Sequence, residues 1–206
     1  MNTLIIFIKN PVLGKVKTRL ASAIGDEKTL EIYQLLLGHT RAITSNVSVN
    51  KYLYYSDFID AEDEWSNEKY EKCLQAQTPD LGQRMASAFG DMLERGADKA
   101  IIIGSDCLEL NTPILKEAYA VLNDCEVVIG PAHDGGYYLI GLNFQKITMD
   151  IRDLIEKLFY DRQWSHSRVY KEAVDVLIEQ NILYFNLRIL SDIDEEADLS
   201  ELNVLN

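Results

Sequence analysis

The run Ala100-Ile101-Ile102-Ile103 is apolar without alternation and stops at Gly104-Ser105-Asp106. A strand with no polar face must be covered on both sides. Covering a sheet on both sides takes helices above and below it, which is α/β architecture. Gly104 lets the backbone turn, or lets a ligand come close. Asp106 then falls just past the carboxyl end of the strand, where open α/β sheets bind ligands. A carboxylate at such a place is costly unless it is solvated, paired or holding a metal. A turn or helix-cap aspartate is the competing reading, although Thr112-Pro113 makes a better helix start.

The rest of the chain repeats the strand-then-helix alternation. Strands are predicted at Leu4–Ile8, Lys51–Tyr55, Lys72–Ala76, 99–103, Glu126–Ile129, Tyr137–Leu142 and Ile182–Leu187. Helices are predicted from Glu27 to about Ala42, Leu81 to Arg95, Pro113 to Leu122, Ile151 to Phe159 and Ser167 to Gln180. Leu30, Tyr33, Leu36 and Leu37 recur at helical spacing in the first of these. No linker, repeat or low-complexity segment interrupts the series, so one domain over 1–206 is expected. It is a three-layer fold with a mostly parallel sheet. The short connection Pro131–Gly136 allows a local antiparallel excursion.

Charge narrows the partners. The chain of 206 residues has a net charge of −13, which argues against nucleic acid and anionic membranes. Yet residues 1–25 carry Lys9, Lys15, Lys17 and Arg19 and no acid. A basic loop in an acidic chain suits small, highly charged anions such as nucleotide phosphates. No apolar stretch approaches the roughly 18 residues that span a bilayer. Met1-Asn2-Thr3 carries no cation ahead of its apolar run, unlike a secretory signal. Cys73, Cys107 and Cys125 are scattered, which suits a reducing cytoplasm and offers no zinc spacing. Cys107 is read as a small buried neighbour of the site. Oligomeric state is left open.

Five short segments could carry chemistry. In Pro11–Leu20, Gly14 with Lys15, Lys17 and Arg19 follows the first strand without P-loop or GxGxxG spacing. Arg grips phosphate oxygens bidentately and Lys supplies a point charge; a solvated basic loop is the plain alternative. Asp106 offers one hard oxygen donor for a divalent ion whose shell phosphates could complete. In His133-Asp134-Gly135-Gly136, Asp134 could bind substrate hydroxyls or act as a base, and the glycines could let substrate lie on the backbone. An ordinary turn competes with that reading. Ser191-Asp192-Ile193-Asp194 is either a surface turn or the source of a second metal carboxylate. Arg84, in the first turn of a helix, is either a nucleotide contact or an exposed cation. The polar stretch Asp57–Asn67, with Trp65, is the expected selectivity segment.

Together these segments resemble the bacterial DUF2064, or MobA-like, nucleotide-diphospho-sugar transferase family with the GT-A glycosyltransferase fold. The resemblance runs over nearly the whole chain. It rests on Pro11–Leu20, Leu81-Gly82-Gln83-Arg84-Met85, Gly104-Ser105-Asp106-Cys107, Pro131–Leu142, Trp164-Ser165 and Asp192-Ile193-Asp194. The pattern is also similar, more distantly, to phospholactate guanylyltransferase. The chain departs from the family pattern at Leu108, His166 and Glu195-Glu196.

The resemblance implies a Rossmann-like GT-A nucleotide-binding domain. Lys15, Lys17 and Arg19 would match the phosphate loop. Asp106 would match the metal aspartate, Asp134 the substrate-side aspartate and Asp194 a second metal contact. The expected activity is Mg²⁺- or Mn²⁺-dependent transfer from a nucleotide-diphosphate sugar to a small-molecule acceptor. The alternative is nucleotidyl transfer from a nucleoside triphosphate to a phosphorylated small molecule, with pyrophosphate leaving. A nucleotide-binding module without turnover is the third reading.

Overall fold

The computed structural model describes residues 1–199. Its elements run β1 (Asn2–Ile8), α1 (Thr18–Ile24), α2 (Asp26–Ser45), β2 (Asn50–Tyr55), β3 (Glu71–Leu74) and α3 (Leu81–Glu94). They continue with β4 (Lys99–Ile103), α4 (Thr112–Val121), β5 (Val127–Pro131), β6 (Tyr137–Asn143), α5 (Ile151–Phe159), α6 (Val169–Glu179) and β7 (Tyr184–Asn186). The strands form one seven-stranded sheet in the order β3-β2-β1-β4-β6-β5-β7. All neighbouring pairs are parallel except those of β6, which runs antiparallel to both β4 and β5. The expected mixed, mostly parallel α/β sheet with helices on both faces is therefore present.

The two faces share out the strand side chains by alternation. From β1, Leu4, Ile6 and Ile8 enter the core beneath α1, α2 and α4; from β4, so do Ile101 and Ile103. Ile5, Ala100 and Ile102 enter the opposite core, beneath α3, α5 and α6. At about 25 cal/mol per Å² of apolar surface removed from water, two such cores supply the main folding force.

Three local readings are corrected by the fold. The basic loop ends earlier than its sequence suggests, because α1 begins at Thr18. Its N-cap is Lys17, in the left-handed region (φ 46°) and with no side-chain capping bond, so no cap signal marks the start. Helix α4 is capped by Asn111, whose side chain accepts from the Ile114 N–H, so the helix starts one residue before the expected Thr112-Pro113 cap. Trp65 is 4% exposed and packs edge-on against Tyr70 in the core. It is a structural anchor of the loop after β2, not a selectivity residue.

One connection depends on glycine. A Cβ at Gly82 would fall 1.9 Å from the Phe159 carbonyl oxygen and 2.6 Å from the Trp164 ring. Only glycine lets the start of α3 approach the end of α5 so closely. That approach brings Arg84 and Trp164 to the same edge of the sheet.

Candidate active site

The chain leaves β1, builds β2 and β3 outward, and returns to β4 on the other side of β1. Such a reversal opens a crevice at the carboxyl edge between the two strands. A cleft of about 540 Å³ lies there. It is reached by segments following β1, β4, β5 and β7 and by the amino end of β6, because β6 runs the other way.

At its floor sits Lys17. The side chain is only 6% exposed, and its Nζ lies 2.7 Å from Asp106 Oδ2 and 2.6 Å from Asp194 Oδ1. Burial opposes the charge on Lys17, but the fields of Asp106 and Asp194 and the hydrogen bonds they accept outweigh it and hold its pKa above the ordinary lysine value. Burial likewise works against the Asp194 anion; Lys17, with Arg19 and Lys9 beyond it, prevails and holds that carboxyl below the usual range.

The two carboxylates come together for local reasons. The Asp106 carbonyl accepts from the Ile193 N–H at 3.0 Å, which ties the segment after β7 to the end of β4. Ile193 is fully buried and anchors that segment in the core. Asp192 and Asp194 flank it, so alternation along extended backbone directs both away from the core. The Asp194 and Glu195 amides donate to Asp198 at 2.9 and 2.8 Å, which braces the turn.

Asp192 also lines the cleft. Burial, then the nearby charge of Asp106, pushes its carboxyl up to about 7; Lys17 opposes this, while Asp134 and Asp194 add to it. A carboxyl poised near neutrality in a cleft marks a candidate proton-transfer group.

The remaining candidates divide by position. Arg19 and Arg84 both line the cleft. Arg84 is aimed by its Nε–H bond to the Thr78 carbonyl at 2.7 Å. Asp134 lines the cleft and also makes its own turn, accepting from the Gly136 N–H at 2.8 Å. Both readings of that aspartate, turn former and cleft carboxylate, describe the same residue. Gly136 lies along the cleft beside it. Gly135 does something else: at φ 89° it packs where a Cβ would fall 2.1 Å from the Ser167 carbonyl oxygen, joining the turn to the start of α6. Lys15 is exposed and faces an adjoining hollow of about 580 Å³, shared with Lys9 and Arg84. Gly14 (φ 72°) is an exposed turn residue of the same loop.

Several residues that hold the site in place carry no motif. Tyr33 on α2 accepts from the Lys9 N–H at 2.8 Å and stands 3.2 Å from Ser105 Oγ, linking the ends of β1 and β4. Gln75, 5% exposed, donates to the Ile8 and Tyr54 carbonyls. Asn10, 2% exposed, accepts from the Asp57 and Phe58 amides and donates to the Phe58 carbonyl, shaping the loop after β2. On the far side of the cleft Tyr137 and Trp164 meet edge-on. Cys107 is buried, and burial raises its thiol pKa, so it stays protonated.

A divalent ion is a chemically sound occupant for this floor. Two carboxylates already converge on one positive charge. Among the described residues, no set of three or more His, Cys, Asp and Glu side chains forms a metal cage. An ion here would take two oxygen ligands from Asp106 and Asp194 and the rest from phosphate and water, which is how Mg²⁺ is commonly held.

The family is fixed by comparison. The pattern of the DUF2064 family, described as uncharacterized proteins conserved in bacteria, matches residues 39–166, more than half of the chain. The chain belongs to the DUF2064 family. Among curated proteins no sequence match was found. A Desulfovibrio desulfuricans G20 protein, provisionally named a nucleotide-diphospho-sugar transferase, superposes with a TM-score of 0.83 at 27% identity. That match covers 99% of this chain and 85% of the other. The inositol-1-phosphate CTP transferase from T. maritima gives a TM-score of 0.62 at 10% identity, over 100% and 94% of the two chains. A Mycobacterium tuberculosis H37Rv protein in complex with manganese gives 0.56 at 12% identity, over 98% and 97%. The last two share the fold of this DUF2064 protein. Among its described residues no helix is long and apolar enough to cross a membrane.

Proposed function

We propose that this protein is a divalent-metal-dependent transferase acting on a nucleotide-diphosphate sugar and a small-molecule acceptor. The observation that carries the reading is the floor of the cleft, where Lys17, Asp106 and Asp194 meet at 2.7 and 2.6 Å. Asp106 and Asp194 would hold Mg²⁺ or Mn²⁺. Bound there, the ion would supply charge neutralisation for a leaving diphosphate. The protein supplies its own share of that neutralisation. Arg19 and Arg84 line the cleft and can grip phosphate oxygens bidentately, while Lys9 adds a point charge. Asp134, exposed at the cleft wall, would orient the acceptor hydroxyl. Asp192, which lines the same cleft, would take the proton released on transfer. The Desulfovibrio protein's name supports a nucleotide-sugar donor, and the manganese in the mycobacterial neighbour supports a divalent ion. Three free cysteines suit a cytoplasmic enzyme.

Nucleotidyl transfer is the second reading, and a specific observation favours it. Lys9, Lys17, Arg19 and Arg84 all line the cleft, a cation count that suits a triphosphate at least as well as a diphosphate. The CTP transferase with the same fold and nearly the same length supports it too.

The two chemistries release different products. The protein is incubated with nucleoside triphosphates and nucleotide sugars, Mg²⁺ or Mn²⁺, and phosphorylated and unphosphorylated acceptors. Acceptor-dependent release of a nucleoside diphosphate supports the leading reading. Release of pyrophosphate overturns it in favour of nucleotidyl transfer. Nucleotide binding without either product overturns both and leaves a binding module.

A further inference from the structure

Lysine is almost never fully buried unless it is paired. Lys17 is paired twice, with both of the carboxylates that the proposed reaction assigns to a metal. Its ammonium therefore stands at the point on which Asp106 and Asp194 converge. The three partners differ in how firmly they are fixed. Asp106 and the 192–194 segment are joined backbone to backbone, and the Asp194 turn is braced by Asp198. Lys17 reaches the pair through a flexible four-carbon stem and is the member free to swing.

The surroundings add to the conflict between Lys17 and a second cation. Lys9 and Arg19 already act on Asp194. A divalent ion arriving alone must displace one cation and sit among two others. An ion arriving with phosphate brings the anions that Lys17 can move onto.

We infer that Lys17 is a positioning residue that holds the metal place in the empty site, so that the carboxylates become free for a divalent cation only as its ammonium transfers to nucleotide phosphate. This inference rests on the metal-and-nucleotide reading above and adds to it a binding order. Lys17 keeps two like charges from forcing the empty cleft apart. It disfavours metal without nucleotide. It then serves the phosphates at the moment both are present. Metal and nucleotide consequently bind with positive coupling, and by linkage each strengthens the other equally.

The test uses Mn²⁺ alone as the probe, with free Mn²⁺ followed by its electron paramagnetic resonance signal in metal-stripped protein. Lys17→Met and Lys17→Gln are compared with wild type, and each is repeated in an Asp106→Asn background. The expected result is Mn²⁺ affinity at least about tenfold higher without Lys17, because the ion then has no ammonium to displace from the two carboxylates. That gain is expected to vanish with Asp106→Asn. Equal or weaker Mn²⁺ binding in folded Lys17 variants overturns the inference and leaves the metal reading standing. Absence of any Asp106-dependent Mn²⁺ binding in every protein overturns both. A measurement on wild-type protein guards against variants that fail to fold. Lys17 acetylation by a water-soluble succinimidyl ester, read by mass spectrometry, is expected to be slow in metal-free protein and to stay slow with Mg²⁺ alone. A severalfold faster rate with Mg²⁺ alone, which requires the ammonium to leave the carboxylates without phosphate, overturns the inference.

Discussion

Replacing the partners of Lys17 one at a time and together gives a sharp energetic signature. Asp106 and Asp194 are each 41% exposed, whereas the lysine side chain is 6% exposed. Removing one carboxylate as Asp→Asn leaves the ammonium with the other, in a site whose carboxylates are already in contact with water. Each single change should therefore cost only about 1 kcal/mol, as for half-exposed pairs. Removing both strands a nearly buried charge, for which losses of about 3–5 kcal/mol are typical. The lower end applies, because Asp192 remains within electrostatic reach. The double variant should thus lose about 1 kcal/mol more than the sum of the singles. Urea denaturation of metal-stripped wild type, Asp106→Asn, Asp194→Asn and the double variant at pH 7 measures all four corners. Adding Lys17→Met to the double variant should recover much of the loss, since no buried charge is then left unpaired. Strict additivity, or no recovery with Lys17→Met, would refute the picture of one lysine shared by two carboxylates.

Other outcomes follow from the same packing and charges. Asp192 holds its proton up to about 7, against an ordinary value of 3.8. A raised carboxyl pKa contributes stability that is complete below about pH 4 and is lost as pH rises through about 7. In metal-stripped protein Asp192→Asn should remove that slope and gain up to about 4 kcal/mol at pH 8, at 1.36 kcal/mol per pKa unit; parallel pH profiles in urea would rule it out. Gly82→Ala should cost about 1–3 kcal/mol or more, because the new methyl meets a backbone carbonyl that cannot yield. Gly38→Ala, helical with nothing within 4 Å, should instead gain about 0.5–1 kcal/mol, and thermal melts distinguish the two. Of the two tryptophans, Trp164 lines the cleft and Trp65 is core. Nucleotide-induced fluorescence change should survive Trp65→Phe and disappear with Trp164→Phe.

The parts of this fold that were legible in the chain are those set by local pattern. The unalternating apolar run at 100–103 has no way to fold except under cover on both sides, and it is β4. The short Pro131–Gly136 link cannot carry a crossover, and it joins the antiparallel pair β5 and β6. Insertion of β6 between β4 and β5 was not legible, because strand order depends on contacts between distant segments. Helix α1 escaped for a different reason: it is seven residues long and starts on a left-handed lysine with no capping side chain.

The site divides the same way. Asp106 stands out in the sequence because it falls just past a buried strand, although a turn or helix-cap aspartate competes there and only the basic loop tips the reading toward a ligand. Lys17 looked like any cation of a basic loop. Its distinctive partner Asp194 is 177 residues away, and no spacing rule spans that interval. Tyr33 sat within the apolar periodicity of α2, and its hydroxyl bonds to Lys9 and Ser105 could not be read from that periodicity. Gln75 and Asn10 act through long-range bonds to backbone, which leave no trace in composition. Trp65 misled because a lone aromatic in a polar stretch suggests an exposed contact, whereas the ring turns inward onto Tyr70.

The proposed function requires the floor of the cleft to receive a metal-bound nucleotide. A crystal grown with Mn²⁺ and a nucleoside diphosphate addresses it directly, since manganese is located by its anomalous scattering. The expected result is a single strong anomalous peak coordinated by Asp106 and Asp194, diphosphate oxygens on the same ion, and Lys17 Nζ withdrawn from both carboxylates onto phosphate. Manganese bound elsewhere, or nucleotide seated with Lys17 still bridging Asp106 and Asp194, would contradict it.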